Sequence, residues 1–205
     1  MERDIRCELV SWDEVRRMTL ALARRLRADG FVPDIIVAIG RGGWIPGRLL
    51  SDYLGVANLT DVKVEHYRGT EKQAVARIRY PLRADLTGQR VLVVDDVTDT
   101  GDSFAVALEH TRNCGEPTEL RSLVLHHKRV SPYVPDYFAR EVAEWRWIVY
   151  PWAVVEDLSA MIADMRDPPA NAEEVADRLL REHGIRVSLR EVEEVLDLMR
   201  PQSNP

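Results

Sequence analysis

The stretch VLVVDDVTDTGDS, from Val91 to Ser103, decides how this sequence is interpreted. Its first half is an apolar run of the kind that forms a strand buried on both faces of a parallel sheet. Its second half is polar, and Gly101 allows a tight turn just before a predicted helix. The pattern therefore predicts a strand, a loop and a helix, with the loop at the carboxyl edge of the sheet. Open α/β sheets bind their ligands at that edge.

The loop has the chemistry of a sugar-phosphate site. Backbone N–H groups in a loop that runs into a helix converge on an anion, and threonine and serine hydroxyls add further donors. Asp95 and Asp96 can accept hydrogen bonds from neighbouring ribose hydroxyls, and we expect Asp96 to face a hydrated Mg²⁺. The predicted phosphate-binding residues are Thr98, Asp99, Thr100, Gly101, Asp102 and Ser103. A Walker-type loop is excluded, because the chain contains no Gly-x-x-x-x-Gly-Lys.

Strands alternate with helices on both sides of this stretch. Strands are predicted at 34–39, 62–67, 76–82, 90–94, 120–126 and 147–150, and helices at 11–30, 46–55, 103–113 and 154–165. This alternation predicts an α/β fold with a mostly parallel sheet. The polar stretch from Arg68 to about Val75 has no period and is predicted to be a mobile loop.

The last part of the chain has a different character. A capping-box spacing occurs at Asn171 with Glu174, and again at Ser188 with Glu191. We expect a small helical hairpin here. The predicted division is a main domain over 1–165 and a helical extension over 171–201.

Composition narrows the class of protein. The 205 residues are 45% hydrophobic and 30% charged, as in an ordinary globular protein. A net charge of -6 argues against binding to nucleic acid or to an anionic membrane. Cys7 and Cys114 lie too far apart for a metal-binding or redox motif. An N-terminal signal core and a membrane-spanning apolar run are both missing, so we expect a cytoplasmic protein.

Val91–Ser103 resembles the phosphoribosyl pyrophosphate (PRPP) signature of type I phosphoribosyltransferases. The wider chain resembles the xanthine-guanine and hypoxanthine branch of that family, in the segments Val10–Asp13, Arg41–Gly47 and Trp147–Trp152. The resemblance implies a mostly parallel twisted sheet flanked by helices, and a homo-oligomer, either a dimer or a tetramer. The sequence departs from the compact family pattern in its helical tail.

The resemblance also implies roles for residues outside the signature. Arg41 and Gly42 would bind the pyrophosphate of PRPP. Lys128 would donate to the 6-oxo group of a purine, and an ammonium that can only donate would reject a 6-amino group. Trp147 would stack on the base, and the backbone of Ile148 would bind its edge.

The expected reaction is displacement of pyrophosphate from ribose C1 by a purine nitrogen, giving a nucleoside monophosphate. An oxocarbenium-like transition state is expected, with Mg²⁺ neutralising the departing pyrophosphate. Asp99 is the candidate for accepting the purine N7 proton, from its position in the signature and from general-base logic. Lys72 and Arg77 flank the expected loop, which could act as a lid that excludes water.

Two alternatives stay open at this point. A regulator could bind PRPP or a nucleotide through the same loop without turning it over. An enzyme of the same family could act on another base, such as adenine or uracil, which would require a different role for Lys128.

Overall fold

The computed structural model describes residues 5–68, 74–167 and 169–200. In chain order the elements are β1 (Cys7–Leu9), α1 (Trp12–Ala28), β2 (Ile35–Gly40), α2 (Trp44–Leu54), β3 (Leu59–Arg68), β4 (Ala74–Tyr80), β5 (Arg90–Thr98), α3 (Asp102–Arg112), β6 (Glu119–Lys128), β7 (Tyr137–Val142), β8 (Trp147–Val149), α4 (Val154–Ala163), α5 (Ala172–Arg178), a π-helical turn (Leu179–His183) and α6 (Leu189–Met199).

Contacts divide the chain into two compact units. One unit is Asp13–Glu144, and the other combines the segment up to Trp12 with the segment from Trp145 onward. We refer to them as the sheet unit and the terminal unit. These are packing units, so the domain boundaries at 1–165 and 171–201 stay a prediction.

The sheet unit is built on six strands in the order β4-β3-β2-β5-β6-β7. All neighbouring strands are parallel except β4, which runs antiparallel to β3. Strand β5, which carries the signature, lies in the middle, between β2 and β6. The predicted α/β fold with a mostly parallel sheet is confirmed.

Side-chain alternation along the central strands explains why helices cover both faces of the sheet. Ile35, Val37 and Ile39 belong to a buried cluster that also contains Phe104 of α3. The residues between them point the other way. On that face Gly47 of α2 lies close to the side chains of Ile36 and Ala38. Since both faces are buried, the central strands are apolar throughout.

The terminal unit has its own core. Strands β1 and β8 pair in parallel, with Cys7 opposite Trp147. Helices α4, α5 and α6 and the π-helical turn bury apolar side chains against this pair, including Leu158, Leu179 and Val192. The predicted helical hairpin is confirmed, because α5 and α6 follow Asn171 and Ser188 and both side chains accept a hydrogen bond at the helix start.

The sequence-based predictions missed two strands and made three others, β3, β5 and β6, too short. Strand β1 has only three residues, and β7 has three exposed residues in its middle, so neither has a clear apolar pattern. Strand β5 continues to Thr98, whereas we expected it to end at Val94. The predicted mobile loop falls largely on residues 69–73, which lie outside the described residues. Over the described ranges, no helix is long and apolar enough to cross a membrane.

Candidate functional site

The carboxyl ends of three neighbouring strands bring most of the predicted site residues together. The turn after β2 contains Arg41 and Gly42, the end of β5 leads into Asp99, and β6 ends at Lys128. The parallel register sets these ends side by side, with Thr98 opposite His127. The predicted site therefore lies at one edge of the sheet unit.

The turn after β2 is packed directly on β5. A Cβ placed on Gly42 would lie 2.5 Å from the carboxyl carbon of Asp96. One placed on Gly43 would lie 2.2 Å from the Val94 carbonyl oxygen. Only glycine fits at position 43, because the neighbouring atoms there are backbone atoms, whereas a side chain at position 42 would displace the Asp96 carboxylate. The predicted pyrophosphate turn therefore touches the carboxylate that we expect on the metal side. The peptide bond between Gly40 and Arg41 is cis, and Arg41 is exposed.

The two adjacent carboxylates differ in their surroundings. Asp95 is only 9% exposed, and its Oδ1 accepts the Asp96 backbone N–H at 2.9 Å. Burial raises the pKa of Asp95 well above its ordinary value, and the negative charge of Asp96 raises it further. The backbone hydrogen bond and the charge of Lys63 act in the opposite direction. Hydrogen-bond donors or cations that come close to Asp95 would therefore stabilise its ionised form.

The loop from Thr98 to Ser103 begins buried and ends at a helix start. Thr98 is 1% exposed, and its hydroxyl is 2.9 Å from Nδ1 of His127, so any contact with phosphate would fall to its backbone. The Thr100 hydroxyl donates to Oδ2 of Asp102 at 2.8 Å and accepts the Asp102 N–H at a long 3.4 Å. Gly101 is the N-cap of α3 with a φ of 84°. The start of α3 therefore presents backbone N–H groups next to polar side chains.

An ion pair joins two of the predicted purine-binding residues. Nζ of Lys128 donates to Oδ2 of Asp99 at 2.7 Å. The Lys128 side chain is 3% exposed and that of Asp99 is 37% exposed. A buried ammonium requires such a partner. The arrangement buries the cation, while the carboxylate stays accessible at the edge of the sheet.

The sequence-based predictions missed several contacts around this loop. His127 binds Thr98, and Ser131 and Tyr133 lie against Gly101. These residues follow or end β6 in a segment without any periodic pattern, so no sequence signal indicated them. His66 of β3 lies 3.0 Å from the Ser103 hydroxyl through its Nε2.

The remaining predicted residues lie elsewhere. Trp147 and Ile148 belong to β8 of the terminal unit, where Trp147 is 41% exposed and Ile148 is 7% exposed. An exposed tryptophan is available to a ligand, in contrast to a core residue. Arg77 lies on β4 and is exposed, and Lys72 lies outside the described residues.

The oxygen ligands present suit Mg²⁺ bound together with substrate. Asp95 and Asp96 are adjacent, and no cluster of three or more metal-ligating side chains occurs over the ranges that the structure covers. Mg²⁺ keeps several waters and is usually held by one or two carboxylates plus substrate phosphates. Asp96, which contacts the predicted pyrophosphate turn, has the chemistry and the place for this role.

Comparison with known proteins agrees with this geometry. The family model for the phosphoribosyl transferase domain matches residues 11–157, which include the sheet and the whole candidate site. The chain belongs to the phosphoribosyltransferase family. The xanthine-guanine phosphoribosyltransferase of Cereibacter sphaeroides is 34% identical over 150 residues, covering 70% of this chain and 84% of the relative. The predicted resemblance to a type I phosphoribosyltransferase is confirmed.

Solved structures extend the comparison. A purine phosphoribosyltransferase from Pyrococcus horikoshii is 36% identical, with a TM-score of 0.65 over 71% of this chain and 93% of that one. A protein from Neisseria gonorrhoeae, solved with bound ppGpp, is 23% identical, with a TM-score of 0.65 over 96% of this chain and 98% of that one. The second likeness concerns the fold alone, and it includes the helical tail.

Proposed function

We propose that the chain is a purine phosphoribosyltransferase, which transfers the 5-phosphoribosyl group of PRPP to a 6-oxopurine such as hypoxanthine, guanine or xanthine. The products would be the nucleoside monophosphate and pyrophosphate. The observation that carries the proposal is the pair formed by Lys128 and Asp99, 2.7 Å apart, at the sheet edge where the signature loop lies. Family membership and the purine-specific names of the relatives support it.

The base-recognition step rests on the chemistry of that pair. Lys128 has three hydrogen-bond donors and no acceptor, so it can bind Asp99 and still donate to a purine 6-oxo oxygen. A 6-amino group would bring a second donor to the same place and leave both unsatisfied. Asp99 accepts the N7 proton as the other ring nitrogen bonds to ribose C1. Its orientation is fixed by Lys128 before substrate arrives.

The sugar phosphate is held by the other residues of the edge. Asp95 and Asp96 accept hydrogen bonds from the ribose hydroxyls. The loop from Thr98 to Ser103 and the start of α3 bind the 5-phosphate. Arg41 and Gly42 hold the departing pyrophosphate, beside Asp96. Asp96 would hold Mg²⁺, which would supply charge neutralisation of the leaving group.

Other assignments belong to the same proposal. Trp147 stacks on the base and Ile148 binds it through its backbone, while Lys72 and Arg77 act from the segment that covers the reaction. The active enzyme is a homo-oligomer, as in the family it resembles, and works in the cytoplasm. Of the two alternatives, the regulator is not favoured, because the relatives from Cereibacter sphaeroides and Pyrococcus horikoshii are named as transferases.

The proposal is tested by changing Lys128 to Gln. Glutamine can accept as well as donate, so discrimination against 6-amino purines should weaken. We expect the kcat/KM for hypoxanthine to fall roughly 100-fold, because a hydrogen bond to a charged group contributes about 1.5–3 kcal/mol. Asp99→Asn, which cannot accept the N7 proton, should lose at least as much.

A matched control comes from the next residue. Arg129 is exposed and pairs with Glu141, so Arg129→Gln should leave kcat/KM for every base unchanged. Steady-state kinetics with hypoxanthine and adenine on the three variants decides the matter. Wild-type activity on hypoxanthine in Lys128→Gln would show that Lys128 does not bind the 6-oxo group.

A further inference from the structure

The segment that follows Lys128 is packed onto the phosphate loop. A Cβ built on Gly101 would lie 2.6 Å from Cβ of Tyr133 and 3.2 Å from Oγ of Ser131. Ser131 is buried, and its hydroxyl donates to the Tyr133 carbonyl oxygen at 3.0 Å. The turn at Gly101 is therefore packed so closely against the segment 131–133 that no residue other than glycine fits at this position.

Tyr133 is anchored at both ends of its side chain. Its ring stacks on that of Phe104, with centroids 5.2 Å apart and planes 17° apart. Phe104 is 1% exposed and lies in the first turn of α3, whose N-cap is Gly101. The phenolic hydroxyl donates to the Ser122 hydroxyl at 2.6 Å. Tyr133 thus contacts the phosphate loop at the cap and, through its ring, in the first helical turn.

The hydroxyl end of Tyr133 enters a hydrogen-bond network centred on the buried Ser122. Ser122 is 0% exposed, and both its N–H and its hydroxyl donate to Oδ2 of Asp136 at 2.8 Å. The Asp136 N–H donates back to the Ser122 hydroxyl at 3.0 Å. The Ser122 hydroxyl thus donates one hydrogen bond and accepts two, which is its full hydrogen-bonding capacity. Such a network holds its members in one arrangement.

We propose that Tyr133 is a positioning residue for PRPP: its side chain holds the Gly101 turn in the shape that binds the 5-phosphate. This inference rests on the proposed function and deepens it. Tyr133 touches no reacting atom and acts through Gly101 and Phe104. Tyr133 lies in the segment that directly follows Lys128, the last residue of β6. It therefore also connects the end of β6, where the purine is proposed to bind, to the phosphate loop.

Two substitutions separate the anchors of Tyr133. Tyr133→Phe keeps the ring on Phe104 and loses only the bond to Ser122. Tyr133→Ala keeps the Cβ that touches Gly101 but loses both anchors, so the turn is no longer held. The Kd for PRPP should stay within about twofold in Tyr133→Phe and rise roughly tenfold in Tyr133→Ala, a change of about 1.4 kcal/mol.

A purely structural role predicts a different pattern. Tyr137 is 3% exposed on β7 and packs under Arg25, so Tyr137→Ala should lower the melting temperature without moving the Kd for PRPP. Where Tyr133→Ala does not fold, Ser131→Ala replaces it, since it removes the hydroxyl that holds the Tyr133 carbonyl. A Kd for PRPP raised about threefold is expected there.

The test is calorimetric titration of PRPP with Mg²⁺ into each folded variant, without purine, together with steady-state kinetics of the wild type. Selective weakening in Tyr133→Ala, with recovery in Tyr133→Phe, supports the proposal. An unchanged Kd in Tyr133→Ala, or an equal rise in Tyr137→Ala, overturns it.

The two proposals fail in different ways in this experiment. If the wild type binds PRPP but turns over no purine, and Tyr133→Ala binds PRPP more weakly, the proposed function is wrong and the role of Tyr133 stands. If the wild type turns over purines and Tyr133→Ala binds PRPP normally, only the role of Tyr133 is wrong. A wild type that binds no PRPP contradicts both.

Discussion

Two helices of equal length begin in opposite ways. Helix α6 begins at Ser188, whose hydroxyl accepts the Glu191 N–H at 3.3 Å while the Glu191 carboxylate accepts the Ser188 N–H at 3.1 Å. The N-cap residue of helix α3 is Gly101, which has no side chain that could accept a hydrogen bond from the helix start. The first N–H groups of any helix need an acceptor. Helix α6 supplies one acceptor from its own N-cap side chain. At α3 the N-cap glycine supplies none, and the Thr100 hydroxyl accepts the Asp102 N–H at a long 3.4 Å.

The same difference separates other helices. Helix α2, which follows the predicted pyrophosphate turn, also begins at a glycine, Gly43, where no described side chain acts as the cap. Helix α5 begins at Asn171, whose side chain accepts the Glu174 N–H at 2.9 Å. Side-chain caps thus mark α5 and α6 of the terminal unit, whereas α4 of the same unit follows Ala153 and has no side-chain cap. Glycine caps mark the two helices that follow the predicted binding turns of the sheet unit.

The largest loss of activity is expected from a substitution that distorts the start of α3. Gly101→Ala places a Cβ against Tyr133 and forces an L-residue to adopt a φ of 84°. The kcat/KM for PRPP should fall roughly 1,000-fold, because left-handed strain adds to a displaced phosphate loop. Steady-state kinetics with variable PRPP measures it.

The control is a glycine of the same conformation in the terminal unit. Gly184 has a φ of 75°, and its nearest neighbour is the flexible end of Arg6, at 3.2 Å. Gly184→Ala should cost about 1 kcal/mol of stability and leave kcat/KM unchanged. If both variants keep wild-type activity, the uncapped start of α3 does not bind PRPP.

A smaller loss is expected at the buried carboxylate. Asp95→Asn removes a charged acceptor of the ribose hydroxyls, so kcat/KM for PRPP should fall roughly 50-fold. The melting temperature should nevertheless rise at neutral pH, because the variant no longer buries a negative charge. Function and stability therefore change in opposite directions at this residue.

The pH dependence follows from the raised pKa of Asp95. The folded-state pKa lies above the unfolded value of 3.8, so Asp95 contributes stability at low pH that is lost as pH rises through the folded-state pKa. Asparagine does not titrate. The gain in melting temperature of Asp95→Asn should therefore be largest in alkaline buffer and shrink as pH falls toward 3.8. A gain independent of pH would mean that the pKa of Asp95 is the same in the folded and the unfolded protein.

The smallest effect on activity is expected at the capped start of α6. Ser188→Ala removes the reciprocal pair with Glu191 and should lower stability by about 1 kcal/mol, as measured by urea unfolding. The kcat/KM for PRPP and for hypoxanthine should stay unchanged, because no part of the proposed chemistry uses this helix start. Loss of activity in Ser188→Ala would show that cap chemistry does not separate the structural helices from the binding ones.

Much of the sheet unit could be predicted from the sequence, because its central strands have no polar face. The run from Val91 to Val94 is buried on both sides, and its carboxyl end necessarily meets the ends of its parallel neighbours. Asp96, Gly42 and Lys128 were therefore expected near one another from the order of elements together with the family resemblance. Capping spacing likewise predicted the helices after Asn171 and Ser188.

Other features depend on packing that no local pattern encodes. The approach of Tyr133 to Gly101 joins an irregular segment to a loop, and neither has a period. The pairing of Cys7 with Trp147 joins two three-residue strands that lie far apart in the sequence. The hydrogen bond between Thr98 and His127 forms because β5 continues beyond its apolar run. Thr98, which is predicted to bind phosphate, is therefore the last residue of a strand and not part of the loop.

The central claim is tested most directly by incubating the purified protein with PRPP, Mg²⁺ and, separately, hypoxanthine, guanine, xanthine, adenine and uracil. Nucleotide and pyrophosphate are both quantified. We expect one pyrophosphate for each nucleoside monophosphate formed, with 6-oxopurines as the only bases consumed. Turnover of adenine or uracil instead, or no turnover of any base by a protein that binds PRPP, would contradict the account.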